Sequence, residues 1–393
     1  MAGLGARRGL IAHILPFDEI GGTELQTLRL AQAAESIGFE SIMYCPKGAA
    51  EVERLFRSES FRTEVFEPGE PSYRRPGPFW RCSQMLAQRL KEDGVDVIHG
   101  ADLKGAHHAG LAGRLAGARV LCHVRNSYPK ISLREQGFLL PVHEFIFVSR
   151  AVKSTLDLPK SRKAGPVIYD VPAANGSSVF RSRREAREHF GLPVDALVVG
   201  TAARLAPQKD YETLIRAAGF VLDRVPNVKF LVAGDIESGE HRKYYNGLLP
   251  ILAETKTAEA FRFAGFQTDM SWLYGASDAI VLSSHWEGLG TVLLEAMLNK
   301  KPIVATEING LTELVIQGKT GLLAPPRSPE VMGNYLIEVL TNKEKADQLV
   351  SEGTRYFAVN FGTERFVREI DALYSRQIKT NSRSGIVAEV SGR

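Results

Sequence analysis

The stretch Ser283-Ser284-His285-Trp286-Glu287-Gly288-Leu289-Gly290-Thr291-Val292-Leu293-Leu294-Glu295-Ala296-Met297 decides how the rest of the chain is read. It follows a short apolar run, Ala279-Ile280-Val281-Leu282, of the kind that forms a buried strand. Gly288 and Gly290 then mark a turn, and Val292, Leu293, Ala296 and Met297 recur at helical spacing. A helix that opens after glycines offers free backbone N–H groups and a positive dipole end, which suit an anion such as a pyrophosphate. Glycine also lets a ligand approach the backbone closely. Glu287 in the loop and Glu295 on the helix are poor neighbours for phosphate but good acceptors for sugar hydroxyls. The stretch therefore fits a ligand with phosphate at its centre and hydroxylated rings on either side, as in a nucleotide sugar. The plainer alternative is an ordinary strand-loop-helix corner with solubilising glutamates.

Outward from this corner, 393 residues exceed the usual size of a single core, so two domains are expected. Hydrophobic content of 44% and charged content of 24% are ordinary for a soluble enzyme. A formal charge of +4 is small for this length, and no basic-aromatic cluster points to nucleic acid. Cys45, Cys82 and Cys122 carry no metal or redox spacing and read as thiols of a reducing compartment. No apolar run reaches the roughly 20 residues that span a bilayer. The start, Arg7-Arg8-Gly9-Leu10-Ile11-Ala12, reads as a first strand more than a leader, and a cytoplasmic location is expected.

In the first half, strands are expected at Leu10–Leu15, Ser41–Cys45, Phe61–Phe66, Val95–His99, Ala118–Asn126, Glu144–Ser149 and Pro166–Asp170. Gly21-Gly22 lies between the first strand and a helix carrying Leu25, Leu28, Leu30, Ala31 and Ala34, a second anion-receptive corner. Pro68 to Pro78, with Arg74-Arg75, reads as a loop. Alternation along the fifth strand puts Leu121, His123 and Arg125 on one face. In the second half, Ala196–Arg204 is a strand entering a loop that carries Arg204 and Lys209 ahead of a helix. Phe230–Asp235 and Phe261–Phe266 are further strands. Alternating short strands and helices in both halves argue α/β domains with mostly parallel sheets. The expected boundaries are 1–172 for a first Rossmann-like domain, 173–192 for a hinge with a charged surface helix, and 193–356 for a second such domain. A C-terminal helix over 357–378 and a disordered tail over 379–393 complete the chain.

Glu287 and Glu295, with the residues between them, resemble the signature of the retaining glycosyltransferases of family GT4, which have the GT-B fold. The resemblance continues through Lys301-Pro302-Ile303-Val304-Ala305-Thr306, Asn309-Gly310-Leu311-Thr312-Glu313-Leu314-Val315 and Gly318-Lys319-Thr320-Gly321-Leu322-Leu323. It implies two Rossmann-like domains facing each other across a cleft, with the C-terminal helix crossing back to the first. It further implies sugar transfer from a nucleotide diphosphate donor to a hydroxyl acceptor, with retained configuration and without metal or other cofactor. A UDP-sugar is the first expectation for the donor, with GDP- and ADP-sugars as alternatives. The acceptor would be a glycan, a lipid-linked molecule or a small molecule, and the basic loops permit peripheral membrane contact. By the same resemblance, Arg204 and Lys209 meet the diphosphate with the N–H groups around Thr291 and Val292. Glu287 and the backbone of Gly288, Leu289 and Gly290 hold the sugar, Glu295 takes the ribose, Phe266 lies against the base, and Gly21-Gly22 closes over the donor. In the place of the family's histidine at the end of the fifth strand stands Arg125, with His123 two residues earlier, so either Arg125 has taken over its polar contact or His123 has shifted into its catalytic role. An Asn-Gly pair common in relatives is likewise replaced by Asp170-Val171-Pro172. A nucleotide-sugar epimerase, a phosphorylase-like enzyme or a silent nucleotide-sugar-binding subunit are the alternative functions.

Overall fold

The computed structural model describes residues 8–128, 130–172, 181–237 and 239–390, with side chains through Thr380. The chain divides into two compact units, Met1–Asp170 with Thr363–Arg393, and Val171–Gly362.

The first unit is built on a parallel sheet of β1 (Leu10–Ile14), β2 (Glu40–Pro46), β3 (Arg62–Phe66), β4 (Val97–Ala101), β5 (Arg119–Val124) and β6 (Glu144–Phe147), in the order β3-β2-β1-β4-β5-β6. Its helices are α1 (Gly22–Ser36), α2 (Ala50–Ser58), α3 (Pro76–Glu92), α4 (Asp102–Ala116), α5 (Leu133–Phe138) and α6 (Arg150–Thr155). β1 and β4 are buried along their whole length, as a parallel sheet covered on both faces requires. Cys45 and Cys122 are buried, free thiols.

In the second unit the sheet comprises β7 (Leu197–Ala202), β8 (Val228–Ala233), β9 (Phe261–Phe263), β10 (Ala279–Leu282), β11 (Ile303–Thr306) and β12 (Leu322–Ala324). Its order, β12-β11-β10-β7-β8-β9, is the order of the first sheet read from the other edge. Around it stand α7 (Arg183–His189), α8 (Tyr211–Leu222), α9 (Gly239–Glu254), α10 (Ser271–Ala276), α11 (Thr291–Leu298), α12 (Pro329–Thr341) and α13 (Lys343–Asn360). A core of β-branched and aliphatic residues, with Val199, Phe230, Val281 and Val304 from the strands and Leu214, Ala218 and Leu336 from the helices, fills one side.

Three expectations are corrected. Pro166–Asp170 forms only an isolated bridge, Val167 to Phe147, because Pro166 has no N–H to extend a ladder. The end of the Pro-rich loop is the first turn of α3, where Pro76 occupies a position whose N–H would have no helical partner. The expected charged surface helix, α7, is exposed along most of its length as expected, while its Arg187 is fully buried and donates to Ala276 O, Val194 O and Asp278 Oδ2 at 3.1, 2.6 and 2.6 Å. Residues 173–180 of the expected hinge lie outside the described residues. Finally, Phe357 belongs to α13, and α14 (Thr363–Val390) runs through most of the expected tail. A formed helix extends at little cost per residue, so a polar continuation remains helical. Residues 391–393 of that tail lie outside the described residues.

α14 belongs to the first unit. Tyr374 Oη lies 2.8 Å from His99 Nδ1, Arg8 pairs with Asp371 at 2.6 Å, and Arg376 pairs with Glu144 at 2.7 Å. Among the described residues no helix is long and apolar enough to cross a membrane.

Candidate functional site

Each sheet reverses strand order once, between β1 and β4 in the first unit and between β7 and β10 in the second. Loops that leave neighbouring strands on opposite sides make the ligand-binding edge of such sheets.

At the second unit's reversal, the loop after β7 and the loop after β10 are fastened together. His285 N–H donates to Gln208 O at 2.8 Å, Gln208 Nε2 to Trp286 O at 3.0 Å, and Ser283 Oγ to Lys209 O at 2.8 Å. This brings Lys209 Nζ to 2.5 Å from Glu287 Oε1, which also accepts from Ser284 Oγ at 2.6 Å. The Lys209 and Glu287 side chains are only 14% and 9% exposed. Their attraction is therefore little screened. An ammonium carries three donors, so Lys209 can keep Glu287 and still meet a further oxygen. Asp210, next in the chain, caps α8 by accepting from Thr213 N and Oγ1 at 3.2 and 2.7 Å, which anchors Lys209 from behind.

Two glycines make the turn. Gly290, at φ 80°, precedes α11, and a Cβ there would stand 2.3 Å from the Leu311 side chain. Gly310, at φ 92°, leaves the space in which the Glu287 carbonyl lies; a Cβ would come within 2.6 Å of that oxygen. Thr291 and Val292 open α11, and Glu295 on its next turn accepts from Tyr274 Oη at 2.8 Å. Leu289 is buried, so only its backbone is available to a ligand. Arg204 is exposed and makes no ion pair among the described residues. Phe266 is 52% exposed on the loop after the edge strand β9, away from the core position open to an aromatic there.

The first unit treats its polar residues differently. Gly21 is the residue before α1, and its N–H already donates to Glu24 Oε2 at 3.0 Å, whereas the space around Gly22 is open. His13, His99 and His123 stand on adjacent strands, fully buried or nearly so, with ring centres 5.9 Å (His13–His99) and 5.3 Å (His99–His123) apart. Burial holds all three imidazoles neutral: His13 is pushed down to about 3, with Arg125 adding to the shift, and His99 and His123 lie well below their ordinary value. Arg125, just past β5, is 7% exposed; its Nε lies 3.3 Å from both oxygens of Asp170, and its Nη2 3.4 Å from His123 Nδ1. Asp102, at φ 62°, accepts from the side chain of Asn126 and from the backbone of Leu103 at 2.9 Å. Burial raises the carboxyls of both Asp102 and Asp170.

The structure thus joins Lys209 to Glu287 and sets Glu295 on α11, the helix that follows the Glu287 loop. It leaves Phe266 and Arg204 outward and encloses His123 and Arg125 in the first unit. Ser284, Gln208, Gly310 and Asp170 are partners that residue spacing did not single out. Two of them left a signal: Gly310, inside a glycine-marked turn, and Asp170, where an Asn-Gly pair was expected. Among the described residues no group of three or more His, Cys, Asp or Glu side chains converges as a metal site.

The model for glycosyl transferases group 1 matches residues 182–356, and that for glycosyltransferase family 4 matches residues 20–158. Over 209 residues the chain is 28% identical to a D-inositol 3-phosphate glycosyltransferase of Corynebacterium urealyticum, covering 52% of this chain and 49% of that one. It is 30% identical to an alpha-D-kanosaminyltransferase of Streptomyces kanamyceticus, covering 49% and 48%. The chain spans about half the length of the curated relatives it matches. Its fold is shared with HepE of Anabaena, solved with UDP and glucose, at a TM-score of 0.81 and 21% identity over 94% of this chain and 100% of that one.

Proposed function

This chain belongs to the group 1 glycosyltransferases, and we propose that it moves a sugar from a nucleotide diphosphate donor to a hydroxyl acceptor, retaining configuration and using no metal. The observation that carries this reading is the contact of Lys209, Glu287 and Ser284 at the strand reversal of the second unit. A cation and an oriented carboxylate there suit a ligand that ends in phosphate on one side and sugar on the other.

The chemical task is to weaken the bond between the anomeric carbon and a diphosphate oxygen. Negative charge grows on that oxygen as the bond breaks. Lys209 and Arg204 meet this charge together with the N–H groups at Thr291 and Val292, an arrangement that favours the transition state over the bound donor. Glu287, with the backbone of Gly288, Leu289 and Gly290, accepts from the sugar hydroxyls. Glu295 accepts from the ribose, with Tyr274 fixing its carboxylate, and Phe266 covers the base. A UDP-sugar is the first donor to examine, and the acceptor is a glycan, a lipid-linked molecule or a small molecule.

Proton NMR of the protein with UDP-, GDP- and ADP-sugars tests the reading. Slow release of nucleotide diphosphate from one donor, with the first-formed sugar in the donor's own anomeric form, is the expected result. Conversion of a donor into a different nucleotide sugar would replace transfer with epimerisation.

A further inference from the structure

Besides three hydrogen bonds between neutral groups, one contact of a different kind joins the loops that bring Lys209 to Glu287. His285 Nδ1 stands 3.3 Å from Asp210 Oδ2, with the imidazole 31% and the carboxylate 5% exposed. His285 lies in the loop after β10, two residues before Glu287, and Asp210 directly follows Lys209. The other ties run through Ser283 Oγ, the Gln208 amide and the backbone, none of which titrates. Histidine is the residue type whose charge ordinarily changes between about pH 5 and 8.

Asp210 is a strained residue, at φ 48°, and its oxygens cap α8 by accepting from Thr213 N and Oγ1. Asparagine would serve both the left-handed backbone and the cap. What a carboxylate adds is charge, and the group placed to meet it across the loops is the imidazole. Burial raises the Asp210 carboxyl, while the bonds from Thr213 and the charge on His285 bring it down. Of the neighbouring charges, Lys209 and Glu287 offset each other at 2.5 Å. Glu212, in the first turn of α8, receives Tyr244 Oη of α9 and adds negative charge beside Asp210. The field facing His285 is thus negative, so an imidazolium is drawn to the Lys209 loop more strongly than a neutral ring. We propose that His285 is a positioning residue whose imidazolium, drawn to Asp210, holds the Lys209 loop against the Glu287 loop and keeps the ammonium and carboxylate in register for the donor. Its effect on rate rests on the glycosyltransferase reading; its effect on loop closure does not. Loss of the proton slackens this tie and leaves the neutral bonds in place, so turnover declines as pH rises.

The full chain is compared with His285→Arg, His285→Asn and His285→Phe at about pH 5.5 and about pH 8.5, on either side of the ordinary imidazole value near 6.5. The exposed edge of the ring leaves room for the arginine, which stays charged at both. Hydrolysis of UDP-glucose, or of whichever UDP-, GDP- or ADP-sugar the wild type consumes, gives kcat and KM. Amide hydrogen exchange over 206–210 and 283–287 reads loop closure apart from turnover. Groups common to all variants cancel in ratios taken at one pH. The wild type should match His285→Arg at the lower pH and His285→Phe and His285→Asn at the higher. The gap in kcat between the charged and neutral variants should be about fivefold, the upper range for a partly exposed ion pair, with KM within about twofold. Exchange in both segments should be slower in His285→Arg than in the neutral variants. A merely structural histidine would lower Tm and leave these ratios independent of pH. The inference is overturned if the wild type keeps the same ratio to both classes of variant at the two pH values, or if exchange is equal in His285→Arg and His285→Phe. A wild type that consumes no nucleotide sugar would overturn the transferase reading, and the exchange comparison would still decide the tie between the loops.

Discussion

Two sheets with one strand order use their reversal points in opposite ways. In the second unit, β7 and β10 send out loops whose polar groups are bonded to one another near the surface, with Lys209, Glu287 and Ser284 in contact. In the first, His13, His99, His123 and Arg125 turn inward, where burial strips the imidazoles of charge. Topology sets where a ligand edge lies; the side chains decide whether that edge is a set of presented charges or a closed polar interior.

The sharpest way to break the contrast is Glu287→Ala. Losing a group aimed at the reacting sugar should lower kcat/KM on the order of 10²–10³-fold, with a lower Tm as well, because the nearly buried Lys209 is left without its partner. Near wild-type turnover would remove Glu287 from the mechanism. The first unit should answer to acid instead. A histidine whose folded pKa is lowered gives up stability as pH falls below its unfolded value near 6.5, because the unfolded chain takes up the proton first. For His13 this loss continues down to about 3. Each of the three histidines contributes roughly 1 kcal/mol per pH unit in that window, and the raised carboxyls of Asp102 and Asp170 oppose it in part. Tm should fall from pH 7 to pH 5; a flat profile would show that these imidazoles are not enclosed.

Gly310→Ala presses a methyl against the Glu287 carbonyl and demands a left-handed backbone, a strain of about 1–3 kcal/mol. Transfer should drop at least tenfold, and a variant with full activity would disprove that Gly310 seats the Glu287 loop. Tyr374→Phe leaves His99 Nδ1 without its partner inside the first unit, at about 1–3 kcal/mol. Differential scanning calorimetry should register a lower Tm with unchanged kcat. Ser284→Ala removes one of two bonds to Glu287 Oε1, worth about 1 kcal/mol, so kcat should fall about fivefold. No change would leave Lys209 as the sole orienting group.

The alternating strands and helices, and the corner from Ala279 to Met297, were legible because apolar period and glycine turns are local signals. The failures were also local in kind but needed the fold to expose them. Pro166 cannot continue a ladder, and Arg187 is buried because three acceptors converge on it. Lys209 and Glu287 could be assigned by chemistry from their own segments, but their contact depends on how two loops register. Arg125 and Asp170 each departed from the expected pattern; only the structure shows that the two departures touch, so that one charge accounts for the other.

The first unit contains both Met1–Asp170 and Thr363–Arg393, whereas the second is one continuous segment. During synthesis at about 5–20 residues per second, the roughly 190 residues between them take about 10–40 s to make. For that interval the first sheet waits for α14, and His99 waits for Tyr374. The nascent chain can complete its second unit before its first, so the half that leaves the ribosome earlier is the half that matures later.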